Sequence, residues 1–375
     1  MSKRAPAEIG MNVADVDTPV LLIDLAALER NLKKLADVTA KSKLKLRPHG
    51  KSHKSPVIAH MQMALGAVGV CCQKVSEAEA MVEGGVPDIY ISNQVADPRK
   101  LARLAALARR ARIATCVDHP DVIKALAKAA QDYGVEIRTL VEIDVGQKRC
   151  GVEPGPAVVP LAQAIEKAKG LRFDGLQAYY GTAQHFRGFT ERRDAIRGAA
   201  DKVNASRDAL KAAGIACPTV TGGGTGTYPF EIASGVYTEL QAGSYAFMDG
   251  DYGKNRSEDG GDFRDFEQSL FVLAQVMSTP TADRFITDAG TKSLSVDSGP
   301  PSLSGVTGCD YAMGGDEHGK ILLKEGSNVS FKLGQKVRVV PSHCDTTVGL
   351  HDWYVGFRGD RVEAVWPIAG RGAIT

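Results

Sequence analysis

Apolar positions spaced three and four apart alternate with short β-branched runs from about residue 24 onward. Asp24 precedes Leu25, Leu28, Leu32, Leu35 and Ala36, a pattern that predicts a helix capped by an aspartate. Strand-like runs follow at Leu44–Leu46, Ala67–Cys72, Asp88–Ser92, Ile113–Val117, Ile137–Val145, Phe173–Tyr179, Thr219–Gly222 and Thr238–Ala242. Between them lie Ala- and Leu-rich amphipathic stretches, among them Leu101–Ala111, Val122–Ala130, Val158–Ala168 and Thr190–Ala213. Eight strands alternating with helices predict a (β/α)8 TIM-type barrel over residues 24–244, with a doubly wound open sheet as the alternative α/β arrangement.

After about Tyr245 the helical period gives way to short β runs punctuated by Gly, Pro, Asp and Ser, such as Leu270–Val276, Arg284–Thr287, Lys336–Val340 and Val362–Trp366. This predicts a β-rich second domain. Val20–Ile23 is left over once the barrel count closes, so residues 1–23 are assigned with 245–375 to that domain.

Length agrees with this division: 375 residues exceed the ~250 of a lone barrel. The charge balance, 46 Lys+Arg against 44 Asp+Glu, gives no basic face for nucleic acid or for a membrane surface. No signal-type apolar segment opens the chain, and no run reaches the ~20 apolar residues of a membrane span, so a cytoplasmic protein is expected. The seven cysteines are scattered and never form a CxxC pair, which argues against a disulfide framework or a four-cysteine zinc site.

Functional side chains of such a barrel belong at the C-terminal ends of its strands. The run Arg47-Pro48-His49-Gly50-Lys51-Ser52-His53-Lys54 follows the first strand and offers a lysine that burial could turn into a free amine able to attack a carbonyl, an effect to which Arg47 and Lys54 would add. Gln73 follows the second strand, Arg149 the fifth, and Tyr179, Tyr180 and His185 the sixth. The rigid fork of Arg149 suits an anionic oxygen. Thr221-Gly222-Gly223-Gly224-Thr225-Gly226 follows the seventh strand and Gly243-Ser244 the eighth, the place where barrels commonly build a phosphate cradle. In the second domain, His343 and Asp345 at i, i+2 would share one side of an extended chain and could hold a divalent ion, with Cys344 pointing away. His49, His60, His119, His318 and His351 read as structural, with His53 and His185 ranked above them.

In order and spacing, these motifs resemble the fold type III pyridoxal-phosphate enzymes typified by alanine racemase, and within them the D-threonine aldolase family and its D-serine dehydratase relatives. The motifs that carry the resemblance are Arg47 to Ser55, Cys71 to Ala78, Leu176 to Tyr179, Thr221 to Gly226, Leu240 to Tyr245 and Pro341 to Asp345. The resemblance implies that Lys51, rather than Lys54, carries the cofactor, that Tyr179 lies against its ring, that Arg149 sits near its phenolic oxygen and that Gln73 belongs to the surrounding pocket. Gly224, Thr225, Gly243 and Ser244 correspond to phosphate contacts, and His343 with Asp345 to a metal pair. Dehydratase relatives carry a His-x-Cys zinc pair, so Asp345 favours the aldolase and a harder ion, Mn²⁺ or Mg²⁺, over Zn²⁺.

The implied reaction is retro-aldol cleavage of D-threonine and other β-hydroxy-D-amino acids to glycine and an aldehyde, with His185 or a base at the metal taking the hydroxyl proton. A D-serine or 3-hydroxyaspartate dehydratase and a non-catalytic pyridoxal-phosphate-binding protein are the alternatives. The resemblance also implies a homodimer in which the β domain of one subunit closes the barrel mouth of the other.

Overall fold

The first strand, β1 (Val20–Asp24), and the first helix, α1 (Leu25–Lys41), meet at Asp24, whose Oδ1 accepts the Ala27 N–H at 3.0 Å and caps the helix as the sequence predicts. The computed structural model describes residues 4–375, and the chain forms two units whose division falls inside α1. One unit holds the chain up to Lys33 with Ser244–Lys254 and Asp262–Gly372; the other holds Lys34–Gly243, Asn255–Gly261 and Ala373–Thr375.

The second of these is a barrel of eight parallel strands: β2 (Lys45–Leu46), β3 (Val70–Cys72), β4 (Asp88–Ile91), β5 (Arg112–Val117), β6 (Ile137–Glu142), β7 (Leu171–Gln177), β8 (Thr219–Gly222) and β9 (Glu239–Leu240). They pair in the order β2-β9-β8-β7-β6-β5-β4-β3. Closure between β2 and β3 comes from backbone bonds of Val68 N–H to Leu46 C=O (2.8 Å), Cys71 N–H to Pro48 C=O (2.8 Å) and Gly50 N–H to Cys71 C=O (2.7 Å). The open doubly wound sheet is thereby excluded. Each of the eight strands lies within or against one of the eight predicted runs. Crossovers run through α2 (Pro56–Ala64), α3 (Val75–Glu83), α4 (Pro98–Leu107), α5 (Pro120–Tyr133), α6 (Val158–Lys167), α7 (Phe189–Ala212) and α8 (Tyr228–Ser234).

Strand parity sorts the core. Ile89, Ile91, Ile113, Val117 and Val141 pack outward with helix residues such as Leu104, Leu126 and Ile165, while Cys71, Tyr90, Ala114, Cys116 and Leu140 form a separate small cluster. Much of the remaining barrel interior is polar. Tyr90 OH donates to Gln177 Oε1 at 2.9 Å, and Gln241 Nε2 donates to Gln177 Oε1 and Thr221 Oγ1, both at 2.8 Å. Thr221 in turn donates to Glu239 at 3.0 Å, and Glu239 pairs with Arg47 at 3.0 Å. Arg47 also holds Asp88 at 2.7 Å, and both carboxylates are buried. Burial alone would lower the Arg47 pKa, but Glu239 and Asp88 raise it, so this guanidinium stays charged.

Arg47 lines a cavity of about 430 Å³ together with Asp88, Arg112, Thr219 and Glu239, which open their strands, so it faces the N-terminal end of the barrel. It is therefore a structural ion pair and not the cation expected to act on Lys51. Arg47→Leu is expected to lower unfolding free energy by about 3–5 kcal/mol in denaturant titration, because Glu239 is left buried with its charge uncompensated.

In the other unit, β1 joins a mixed sheet with β10 (Leu270–Thr281), β11 (Arg284–Thr287), β12 (Ser302–Leu303), β13 (Cys309–Met313), β14 (Gly319–Leu323), β15 (Lys336–Val340), β16 (Trp353–Arg358) and β17 (Arg361–Pro367). The main order is β13-β14-β11-β10-β1-β16-β17; β15 pairs with β10, and β12 with β15. Val20 faces Leu273 in antiparallel register, and Leu21 pairs in parallel with Tyr354, which makes the leftover strand of the sequence a central member of this sheet. A one-turn helix, α9 (Cys344–Val348), follows β15.

Candidate active site and metal pair

The turn after β2 doubles back through backbone bonds, Lys54 N–H to Gly50 C=O at 2.7 Å among them, and this sends successive side chains in different directions. Lys51 goes to the wall of a cavity of about 370 Å³, where Gln73, Arg149, Tyr179 and His185 also lie. Five residues nominated from four separate strand ends thus share one cavity. Lys54 does not join them: its ammonium pairs with the buried Glu77 carboxylate, which also accepts the Gln73 N–H at 2.8 Å and the Lys74 N–H at 3.2 Å at the start of α3. Both cations expected to depress the Lys51 amine, Arg47 and Lys54, are paired with carboxylates.

His49 is the main residue that sequence reasoning passed over. Its ring lines the cavity, with Nε2 2.9 Å from Gln73 Nε2 and 3.3 Å from Ser92 Oγ, and with Nδ1 3.4 Å from the Lys51 N–H. His53, ranked higher from sequence, is buried instead, and its Nδ1 accepts the Ser55 N–H at 3.1 Å. The signal was available in the spacing, since His49 stands two residues before Lys51 in the motif. Arg149 places its guanidinium carbon 6.0 Å from the centroid of the Tyr179 ring, within reach of a cation–π contact. Glu142, at the end of β6, has its carboxyl pushed up by burial, against bonds from Gln94 and Cys116 and the charge of Arg149.

The glycine loop after β8 lies against Gln184. A β-carbon on Gly224 would come within 2.5 Å of Gln184 Oε1 and so displace that side chain, and one on Gly243 would lie 2.7 Å from Ser52 Oγ and 2.9 Å from the His49 backbone oxygen, where the backbone leaves no room for it. Gly224, Thr225 and Gly243 are not on the wall of the lysine cavity as it stands. Thr225 Oγ1 and Ser52 Oγ are buried hydroxyls without a hydrogen-bond partner among the described residues. Orphaned donors beside side-chain-free backbone are what an anionic oxygen requires. A carbonyl-seeking lysine, an arginine and tyrosine beside it, and this loop together fit a pyridoxal phosphate group.

In the other unit, His343 and Asp345 do not lie along an extended strand. His343 takes the N-cap position of α9 and Asp345 sits in its first turn, so helix geometry brings them together, with Nε2 4.0 Å from Oδ2. His343 Nδ1 is held by Asp297 Oδ2 at 2.7 Å, which leaves Nε2 on the Asp345 side. Burial lowers the His343 pKa, but Asp345, Asp297 and Asp249 raise it more, so the local field favours a cation. Cys344 does not simply point away: its thiol donates to Asp345 Oδ1 at 3.3 Å, while burial first, then Asp249 and Asp345, push its pKa well up. The donor set is thus one imidazole with carboxylates, which fits a hard divalent ion, although no three His, Cys, Asp or Glu side chains converge into a metal-holding group among the described residues. Ser244, nominated as a phosphate contact, belongs to this unit, where its hydroxyl donates to Asp345 Oδ1 at 3.4 Å.

A closed parallel barrel with a lysine on its wall, joined to a mixed sheet, defines the alanine racemase-like class. The alanine racemase N-terminal domain pattern matches residues 23–251, and that of a putative serine dehydratase domain matches residues 269–357. A D-threonine aldolase from Arthrobacter sp is 50% identical across 98% of this chain and 96% of its own. A 3-hydroxy-D-aspartate aldolase from Paracoccus denitrificans (strain Pd 1222) is 46% identical across 98% and 95%. The crystal structure of D-threonine aldolase from Filomicrobium marinum superposes with a TM-score of 0.96 at 48% identity, covering 99% of this chain and 100% of that one. The chain belongs to this D-threonine aldolase family of carbon–carbon lyases.

Proposed function

We propose that the protein cleaves D-threonine and other β-hydroxy-D-α-amino acids to glycine and an aldehyde, using pyridoxal 5'-phosphate and a divalent metal, Mn²⁺ or Mg²⁺ rather than Zn²⁺. The observation that carries the reading is the convergence of Lys51, Arg149, Tyr179 and His185 on one cavity in a chain half identical to an aldolase. Residues 24–244 hold the cofactor, through Lys51, Gln73, Arg149, Tyr179, Gly224, Thr225 and Gly243. Ser244, the last residue of that segment, completes the phosphate contacts, and residues 1–23 with 245–375 hold the metal through His343 and Asp345. The same reading carries a cytoplasmic homodimer with its active site at the subunit interface. Among the described residues no helix is long and apolar enough to cross a membrane.

Bound pyridoxal phosphate would supply an electron sink for the pair released when Cα–Cβ breaks, and the metal Lewis acidity toward the β-hydroxyl oxygen. Everything else falls to the chain. Lys51 would hold the cofactor, Arg149 and Tyr179 would fix its ring, and His49 and Gln73 brace the turn that carries Lys51. His185 takes the β-hydroxyl proton, the C–O bond becomes a carbonyl as Cα–Cβ breaks, and a proton returned to Cα completes glycine. With D-threonine, equal amounts of glycine and acetaldehyde are expected, with no product from L-threonine and with loss of turnover in a chelator. Ammonia and a 2-keto acid in place of glycine would instead establish the dehydratase.

A further inference from the structure

Directly behind the glycine loop lies a carboxyl that the proposed chemistry does not use. Glu231, in the first turn of α8, is 1% exposed, and its Oε1 accepts the Thr227 hydroxyl at 2.7 Å. Thr227 Oγ1 accepts Gln184 Nε2 at 2.6 Å, and Gln184 Oε1 accepts the Gly226 N–H at 3.0 Å. Gln184 is also the side chain that presses on Gly224. The second oxygen, Glu231 Oε2, is buried with no partner among the described residues, and a β-carbon on Gly223 would lie 3.1 Å from the carboxyl carbon. Glu231, Thr227 and Gln184 thus form one buried chain of bonds that ends on the loop's backbone, with the orphaned Thr225 hydroxyl between Gly224 and Gly226.

We infer that Glu231 is the positioning residue of the phosphate loop and acts as a neutral acid, so that binding of a dianionic phosphate on the loop is coupled to protonation of this carboxyl. The inference rests on the pyridoxal-phosphate reading. An ionised carboxylate packed under the loop would repel a phosphate on its far side, whereas the protonated acid does not. Among the described residues no cation acts on Glu231 to offset that repulsion: Thr227 and Gln184 are neutral, and the titratable group beside it, the Tyr237 phenol, is held far above its usual range by burial and donates to Ala178 C=O at 3.0 Å. Burial raises the Glu231 pKa to about 7, only partly opposed by Thr227 and its own backbone, so the proton can be gained near neutral pH.

The full-length apoprotein, wild type and Glu231→Gln, is titrated with pyridoxal phosphate and with pyridoxal between about pH 6 and 9. The ratio of wild-type to variant Kd for pyridoxal phosphate is expected to be flat below about pH 7 and to climb toward tenfold per pH unit above it. For pyridoxal, which has no phosphate, the ratio stays flat throughout. Taking the ratio cancels the titrations of the lysine and of the cofactor itself. In the wild type alone, pyridoxal phosphate should take up about one more proton than pyridoxal at pH 8, measured from binding heats in buffers of different ionisation enthalpy; this arm holds even if the variant does not fold. A flat ratio with both ligands, an equal rise with both, or no extra proton would overturn the inference while leaving cofactor binding intact. Failure of the wild type to bind pyridoxal phosphate at any pH would overturn the cofactor reading itself, and the inference with it.

Discussion

Lys51→Ala should emerge from purification without the visible absorbance of a lysine-bound pyridoxal group, and its turnover should fall by at least ~10⁴-fold, the scale of losing a covalent anchor. Among the described residues the cavity has no second lysine on its wall to take over. Lys54, three residues away, is held by Glu77, whose side chain is itself buried and tied to the start of α3. Lys54→Ala should therefore keep the colour and lose stability instead. The expected cost is about 2–3 kcal/mol, below the ~3–5 of a wholly uncompensated buried charge, because two backbone N–H groups still serve Glu77. Absorbance spectra and denaturant midpoints of the two variants should thus diverge in opposite senses. If Lys54→Ala is colourless and Lys51→Ala coloured, the roles are reversed and the cofactor reading of the cavity fails with them.

The contrast between these two lysines also marks where the sequence is legible. Strand runs with β-branched cores, separated by amphipathic segments, locate all eight barrel strands, because the face of each strand that packs on the helices keeps its apolar residues even where the interior is polar. Val20–Asp24 was recoverable for a different reason: one strand too many for a barrel has to go to the other sheet. Within a tight turn no such periodicity exists. The directions of His49, Lys51, His53 and Lys54 depend on how the backbone folds back on Gly50, so His53 was overrated and His49 overlooked. Arg47 misled in the same way, since the carboxylates that neutralise it, Asp88 and Glu239, lie 41 and 192 residues further along the chain. Gln184 and Glu231 gave no signal at all: each is ordinary in sequence and acquires its role only through the bonds that join the turn Thr182–His185 to the loop after β8. His343 and Asp345 come together through a helix start rather than through strand alternation.

Asp345→Ala should separate metal chemistry from cofactor binding. Asp345 is one of two side chains proposed to hold the ion, and its loss leaves His343 as a lone ligand. The variant should keep its visible absorbance, because Lys51 is untouched. Its turnover should fall at least ~10²-fold, since Lewis-acid stabilisation of a developing alkoxide is worth several kcal/mol, and added Mn²⁺ should not restore it as it does the chelated wild type. Asp297→Asn tests the support behind the imidazole. Asp297 is held below the usual carboxylate range, burial being outweighed by bonds from Ser295, His343 and Thr346, and it fixes which ring nitrogen stays available. Metal affinity should weaken by about 10–100-fold in that variant, with little change in turnover once the ion is saturating. Cys344→Ser should change metal affinity only slightly, because the thiol is buried and turned to Asp345 as a hydrogen-bond donor. A Cys344→Ser protein that loses its metal while Asp345→Ala retains it would move the site to a His-Cys pair, and with it the chemistry from aldol cleavage toward dehydration.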